Sequence, residues 1–120
     1  MKKWTAVAAR IQAGFESSSE KTPEFKAFAS SFKAFLKKEL AAAGAELAHF
    51  GVGHFDCYGF FQKDGKIGYF SISEVRNQRE FKLLYRTAAH LKDYMGGHNH
   101  YVDMSDSSID CTAKLIALLK

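Results

Sequence analysis

The sequence predicts an α+β fold, in which two N-terminal amphipathic helices pack on a four-stranded antiparallel meander that is followed by a C-terminal helix. Apolar residues recur at helical spacing as far as Gly44, and their period then changes to about two. The predicted strands are joined by short links, which favours an antiparallel meander. With 120 residues, of which 47% are hydrophobic, the chain can bury a core of its own. We therefore expect a single domain over residues 1–120.

Both N-terminal helices are predicted from apolar stripes. Residues 2–16 repeat apolar side chains at helical spacing. The second helix is expected to begin at Thr22-Pro23, because threonine caps helices and proline fits the first helical position. Gly44 is placed to end it. The stripe of this second helix consists of Phe25, Phe28, Phe32, Phe35, Leu36 and Leu40.

The middle of the chain reads as strands. Asp64-Gly65 is typical of a two-residue hairpin turn. Residues 88–106 are rich in loop-forming residues and include one candidate short strand, residues 101–104. Ser107 is predicted to cap the last helix. The four strands of the meander are predicted at residues 45–50, 54–63, 67–73 and 81–87.

Charge is distributed unevenly along the chain. Residues 1–44 carry eight cationic and four anionic side chains, so the whole net charge of +4 lies there. Such a segment is either a solvated helix face rich in lysine or a surface that attracts nucleic acid or an acidic protein. Only one of the eight cations is arginine, which favours the solvated face.

The compartment is predicted from cysteine usage and from the start of the chain. Cys57 and Cys111 lie far apart and form no disulfide framework, which indicates a reducing cytoplasm. Arg10 interrupts the first apolar stretch, so we do not expect a signal peptide. No apolar run reaches the roughly 20 residues of a membrane span, and no membrane partner is expected.

The histidines suggest a metal site. His90, His98 and His100 follow the fourth predicted strand, and imidazole nitrogen is a zinc ligand. Two residues that alternate in an extended segment point to the same side, so His98 and His100 can contact one ion. We predict these three as ligands of a structural zinc, with surface or hydrogen-bonded histidines as the alternative. A second group, His49, His54 and Cys57, is expected at the opposite end of the sheet.

The segment that contains these histidines is also dense in polar side chains. Arg86 offers a planar fork for carboxylate or phosphate, and Asp93 can orient it. Asn99 follows two glycines and suits a tight turn. The segment is either a partner-facing loop or ligand site, or a loop braced by an Arg86–Asp93 pair. The predicted partner-binding residues are Arg86, Lys92, Asp93 and Asn99.

Signals of catalysis are weak. The chain has no GxSxG, P-loop or GxGxxG motif. Cys57 lies in a predicted strand, where cysteine more often serves as a small buried hydrophobe than as a nucleophile. We therefore expect no enzyme, although a zinc- or histidine-dependent hydrolase built on His90 and Asp93 is an alternative.

Four segments between residues 54 and 104 carry a resemblance to known proteins: Gly59-Phe60-Phe61, residues 66–76, residues 84–88 and residues 92–97. This part of the chain resembles small proteins carried by phages and conjugative elements, some of which resemble anti-CRISPR inhibitors of type II CRISPR nucleases. The resemblance implies a non-catalytic inhibitor that docks on a CRISPR effector nuclease in the cytoplasm of a bacterial host and blocks DNA loading or cleavage. Some inhibitors of this kind hold a structural zinc, which agrees with the histidine prediction.

The second interpretation is a small nucleic-acid-binding accessory protein of a mobile element. Its strands carry aromatic side chains that could stack on bases. A net charge of +4 makes the chain a poor mimic of DNA, so for an inhibitor we expect an acidic or mixed protein surface as the partner. The aromatic residues in question are Phe55, Tyr58, Phe60, Phe61, Tyr69 and Phe70.

Overall fold

A computed structural model of the chain describes residues 3–13, 23–53, 56–72, 82–94 and 97–120. These residues have an α+β fold, as predicted. The helices are α1 (Lys3–Ala13), α2 (Pro23–Ala42) and α3 (Cys111–Leu118). The strands are β1 (Glu46–Val52), β2 (Cys57–Lys63), β3 (Lys66–Ile72), β4 (Lys82–Ala88) and β5 (His100–Asp103). They form one antiparallel sheet in chain order.

The described sheet has five strands, so the prediction of four was wrong in this detail. Strand β5 pairs with β4, and Val102 lies opposite Leu83. Both of these side chains are buried, whereas Tyr101 between His100 and Val102 is exposed. Four residues give only two full alternations, which is too short for a period of two to stand out in the sequence.

The ends of α2 agree with the sequence signals. The helix begins at Pro23, and the proposed cap Thr22 lies outside the described residues. Gly44 has a φ of +80°, a conformation that glycine adopts at low cost. The N–H of Ala45 then donates to the carbonyl of Leu40 at 2.8 Å and closes the helix. Helix α1 is confirmed over Lys3–Ala13.

The cap of α3 was predicted one turn too early. Asp110, not Ser107, is the N-cap, and its carboxylate accepts a hydrogen bond of 3.0 Å from the N–H of Ala113. Residues before it form local turns instead, in which the Asp106 carboxylate accepts from the N–H and hydroxyl of Ser108. Aspartate and serine are both good caps, so the sequence alone did not choose between them.

The helices cover one face of the sheet. Helix α2 packs on β1, and α3 packs against β4 and β5. The core between these layers is almost entirely apolar, and it leaves the opposite face of the sheet free of helices among the described residues. Its strand residues are Cys57, Phe61, Phe70, Ile72, Leu83, Tyr85 and Val102, and its helix residues include Phe28, Phe32, Leu36, Leu40, Leu115 and Ile116.

A chain of two hydrogen bonds ties the three helices together. The indole N–H of Trp4 donates to the hydroxyl of Thr112 at 2.9 Å, and this hydroxyl donates to the Glu39 carboxylate at 2.9 Å. The ring of Trp4 also lies edge-on to Phe35, with centroids 4.9 Å apart. Because each buried polar group has a partner, α1 is fixed on α2 and α3 without an unsatisfied donor at this point.

We predict that Gly59→Ala destabilises the fold. Strand β1 has a bulge between Leu47 and His49, and a Cβ at position 59 would meet the carbonyl group of His49, with its carbon only 2.8 Å away. Since this neighbour is backbone, the strands themselves must shift. Overpacking of this kind costs about 1–3 kcal/mol. Urea unfolding measures the loss.

Gly53→Ala is the matched control for this substitution. A Cβ at Gly53 has its closest contact at 3.7 Å, on the ring of Tyr58, which is an ordinary van der Waals distance. We expect the control to change the free energy of unfolding by less than about 0.5 kcal/mol. Equal effects of the two substitutions would contradict the close approach of β1 to Gly59.

Candidate functional site

The helix-free face of the sheet carries one row of side chains across four strands. In the strand register His49 lies opposite Phe60, Phe60 opposite Tyr69, and Tyr69 opposite Arg86. Residues opposite each other in an antiparallel pair project to the same side of the sheet. The register therefore gathers an imidazole, two aromatic rings and a guanidinium in one line.

Tyr94 covers the middle of this row. Its ring centroid lies 5.3 Å from that of Phe60, 5.8 Å from Tyr69 and 6.2 Å from Tyr58. All three contacts are edge-to-face, a favoured arrangement of aromatic rings. As a result Phe60 is completely buried although it points away from the core, whereas Tyr94 itself is 42% exposed.

Arg86 holds the segment that carries Tyr94. Its guanidinium carbon lies 4.5 Å from the centroid of the Tyr69 ring, which is a cation–π contact. Nη1 donates to the side-chain oxygen of Asn99 at 3.0 Å, and Nη2 donates to the backbone carbonyl of Tyr94. Nε is buried and has no hydrogen-bond partner in the described structure. The guanidinium thus links β3, the Tyr94 segment and the residue before β5.

The structure brings together two of the four predicted partner-binding residues, Arg86 and Asn99. The described hydrogen bonds of Arg86 go to Asn99 and Tyr94, whereas the Asp93 carboxylate accepts from the N–H of Ala89 at 2.8 Å. Lys92 is exposed. The described contacts of Arg86 with Asn99 and Tyr94 brace the segment, and the proposed Arg86–Asp93 pair stays a prediction. Partner binding by these residues stays a prediction.

The predicted zinc ligands have separate surroundings. Nδ1 of His90 accepts from the N–H of Lys92 at 3.2 Å, and the ring of His100 stacks on Tyr85 with centroids 5.3 Å apart. His98 is exposed. In the described part of the chain no group of three or more His, Cys, Asp or Glu side chains is placed to hold a metal ion. The structural zinc stays a prediction without support from these positions, and His54 and Phe55 lie outside the described residues.

Both thiols are buried and unpaired. Cys57 and Cys111 are 0% exposed. Burial raises the pKa of Cys57 to about 12, and the nearby Asp56 adds to the shift. Burial also raises the pKa of Cys111 to about 11, with Asp110 as the next cause. Since the thiolate is the nucleophile, neither cysteine is activated for catalysis at neutral pH.

Two exposed aromatic residues beside Arg86 were not singled out by sequence reasoning. Tyr101 is 55% exposed and lies opposite Leu84 in the register, and Lys82 Nζ is 5.9 Å from the centroid of its ring. Tyr94 is the second. Leu91, three residues before Tyr94 in the chain, is also a large exposed apolar side chain, with 40% of its surface in solvent. The sequence feature that could have identified them is the presence of two tyrosines within a loop-rich, polar segment.

Comparison of the chain with models of known protein families, with curated proteins and with solved structures gives no match. Among the helices of the described residues, none combines the length and the apolar character that crossing a bilayer requires. The function is therefore argued from the surface around Arg86.

We predict that Arg86→Met releases the Tyr94 segment. The substitution removes the cation–π contact and two charge-assisted hydrogen bonds, worth about 1.5–3 kcal/mol for a hydrogen bond to a charged group. Hydrogen exchange of the amides of residues 89–94 should accelerate by about tenfold or more. Lys92→Ala is the control, because its side chain is exposed. Unchanged exchange in Arg86→Met would contradict the bracing role.

We also predict that the free energy of unfolding falls at alkaline pH. The folded-state pKa values of Cys57 and Cys111, about 12 and about 11, lie above the ordinary value of 9.0. The unfolded chain therefore loses these protons first, so the stabilisation is complete below pH 9 and is lost as the pH rises towards 11–12. Urea unfolding at pH 7 and at alkaline pH measures this decline.

The Cys57→Ala/Cys111→Ala double variant is the control for this decline. We expect it to be less stable at neutral pH but to lose less stability on going to alkaline pH, since the two thiols no longer titrate. An identical decline in the variant and the wild type would assign the effect to other groups, such as the buried tyrosines, and would contradict the prediction.

Proposed function

We propose that the chain is a non-catalytic binding protein that docks on a larger protein through the surface formed by Leu91, Tyr94 and Tyr101 around Arg86, which we term the docking surface. The observation that carries the proposal is Tyr94, which is held over the sheet by Arg86 and remains 42% exposed. Tyrosine and arginine are enriched where protein interfaces gain most of their binding energy.

Rigidity of this surface supports the proposal. The Tyr94 ring is packed against three other rings, and its backbone is bonded to Arg86. Binding costs less conformational entropy when the contacting side chains are already ordered. A tyrosine fixed in this way presents its exposed edge to a partner without further ordering.

The charges around the docking surface favour an acidic or mixed partner surface. Arg86 lies at its centre, Lys82 lies 5.9 Å from the ring of Tyr101, and Lys92 is an exposed residue of the same segment as Leu91 and Tyr94. Two carboxylates are also near: Asp93 accepts from the N–H of Ala89, and Asp103, opposite Lys82 in the register, accepts from the N–H of Ser105, so the local charge is mixed. Complementary charges speed association and fix the register of a complex.

The resemblance to anti-CRISPR inhibitors makes a type II CRISPR effector nuclease the partner we propose. Docking on the nuclease would block DNA loading or cleavage by occlusion or by holding a domain in place. A chain with a net charge of +4 does not suit mimicry of DNA, so the proposed contact is with protein.

A second candidate function, binding of single-stranded nucleic acid, is favoured by two cation–π pairs on the helix-free face of the sheet, Arg86 with Tyr69 and Lys82 with Tyr101. It ranks second because Tyr94 already occupies the space over Phe60 that a stacked base would need. Tight binding of an oligonucleotide that weakens steeply with added salt would favour this candidate.

We predict that the protein inhibits DNA cleavage by a purified type II CRISPR nuclease, and that Leu91→Ala/Tyr101→Ala weakens the inhibition. Both side chains are exposed, so their removal should leave the fold intact. Loss of hot-spot contacts costs about 2 kcal/mol or more, which is about 30-fold in affinity. A titration of nuclease activity with each protein measures the effect.

Val52→Ala is the matched control, because Val52 is 48% exposed but lies on β1, away from Arg86. Its inhibition should equal that of the wild type. Cleavage unaffected by a large molar excess of the wild type would remove this nuclease as the partner. Equal losses in the control and the double variant would remove the docking surface.

A further inference from the structure

Among the described side chains of helix α2, every exposed charged residue is a lysine. Its four lysines, which we term the lysine face, are Lys26, Lys33, Lys37 and Lys38, and all are exposed. The half-buried Glu39 points towards α3, where its carboxylate accepts from the hydroxyl of Thr112. None of the four lysines forms an ion pair within the described residues.

Three of these lysines form a straight row. At 100° per residue, Lys26, Lys33 and Lys37 fall within an arc of about 40° on the helix surface. At 1.5 Å per residue, the row is about 16 Å long. A row of this length can follow several successive phosphates of a nucleic-acid strand, which are about 3.4 Å apart along the axis of a duplex.

The side chains between the lysines are small. Every other exposed residue of α2 with a described side chain is alanine or serine, and Phe28, Phe32 and Phe35 are buried or half-buried. Among the described side chains of α2, no large one therefore blocks the approach of a nucleic-acid strand to the lysines. The exposed small residues are Ala27, Ser30, Ser31, Ala34, Ala41 and Ala42.

We propose that the lysine face binds the phosphate backbone of duplex DNA without sequence preference. The alternatives fit the composition less well. A helix that binds a lipid surface carries large apolar side chains beside its cations, and none is exposed among the described side chains of α2. Protein interfaces are enriched in aromatic residues and arginine and are depleted in lysine. Isolated lysines on a smooth face suit point contacts with phosphates.

The lysine face and the docking surface lie on different sides of the molecule. Helix α2 packs on the core face of the sheet, whereas Tyr94 and Arg86 lie on the opposite face. The chain can therefore contact a protein and a duplex at the same time. This proposal does not rest on the proposed function, because DNA binding by α2 requires no protein partner.

Fluorescence anisotropy of a labelled DNA duplex, titrated with the whole chain between about 50 and 200 mM salt, tests the proposal. Each neutralised phosphate contributes about 0.9 to the slope of log K against log salt, so three or four contacts give a slope of about −3. Lys33→Ala/Lys37→Ala should reduce the magnitude of the slope by about 2. Alanine favours helix, so α2 should persist, and circular dichroism checks this.

Lys114→Ala/Lys120→Ala is the control, because it removes the same number of positive charges from exposed positions in α3 and just after it. Its slope should match that of the wild type. A duplex with neutral methylphosphonate linkages, added to the wild type, gives a second test that needs no variant, and we expect it to bind at least tenfold more weakly.

Several outcomes would overturn the proposal. These are no binding at about 50 mM salt, equal losses in the two double variants, or undiminished binding of the methylphosphonate duplex. Tighter binding to vesicles of anionic phospholipid than to DNA, lost in Lys33→Ala/Lys37→Ala, would assign the lysine face to a membrane surface instead.

Discussion

Two neighbouring strands at the centre of the sheet carry large rings on both of their faces, and both faces must be covered. Phe61 and Phe70 point into the core under the helices, whereas Phe60 and Tyr69 point to the other side. Helices α2 and α3 bury the first pair. On the second side, where the described residues include no helix, Tyr94 takes over this role and buries Phe60 completely.

Covering this second face requires that a segment outside the sheet be held against it. The cluster of rings contributes apolar contacts, and Arg86 fixes the position of the segment by donating hydrogen bonds to the Tyr94 carbonyl and to Asn99. The same contacts leave part of Tyr94 in solvent. Under the function proposed above, Tyr94 therefore has two roles, because the residue that covers Phe60 is also one that contacts the partner.

The charges are arranged in two separate regions. The cations of α2 stand on a smooth helical face without aromatic residues, whereas Lys82 and Arg86 lie beside tyrosine rings on the far side of the sheet. The first arrangement is typical of contacts with a phosphate backbone, and the second is typical of protein interfaces. Substitutions in one region can therefore test the proposed protein partner, and substitutions in the other can test the proposed DNA partner.

Much of the fold was decided by the sequence. Pro23 at the start of α2, Gly44 after its end and the Asp64-Gly65 turn each act through neighbours along the chain, and each was confirmed. The apolar stripe of α2 was confirmed from Phe28 to Leu40, whereas the side chain of Phe25 lies outside the described part of the structure. Local signals of this kind do not depend on the rest of the structure. They failed where two local choices were equally good, as at Ser107 and Asp110, or where an element was as short as β5.

The candidate site was decided by tertiary structure. The sequence identified Arg86 as a donor of several hydrogen bonds, but its partners Tyr94 and Asn99 lie 8 and 13 residues away along the chain. Asp93, which bonds to Ala89, was an equally plausible acceptor on the sequence alone. Tyr94 gave no periodic signal at all. Its importance arises only because strand pairing lines up Phe60, Tyr69 and Arg86 beneath it, and register across strands is a property of the folded sheet.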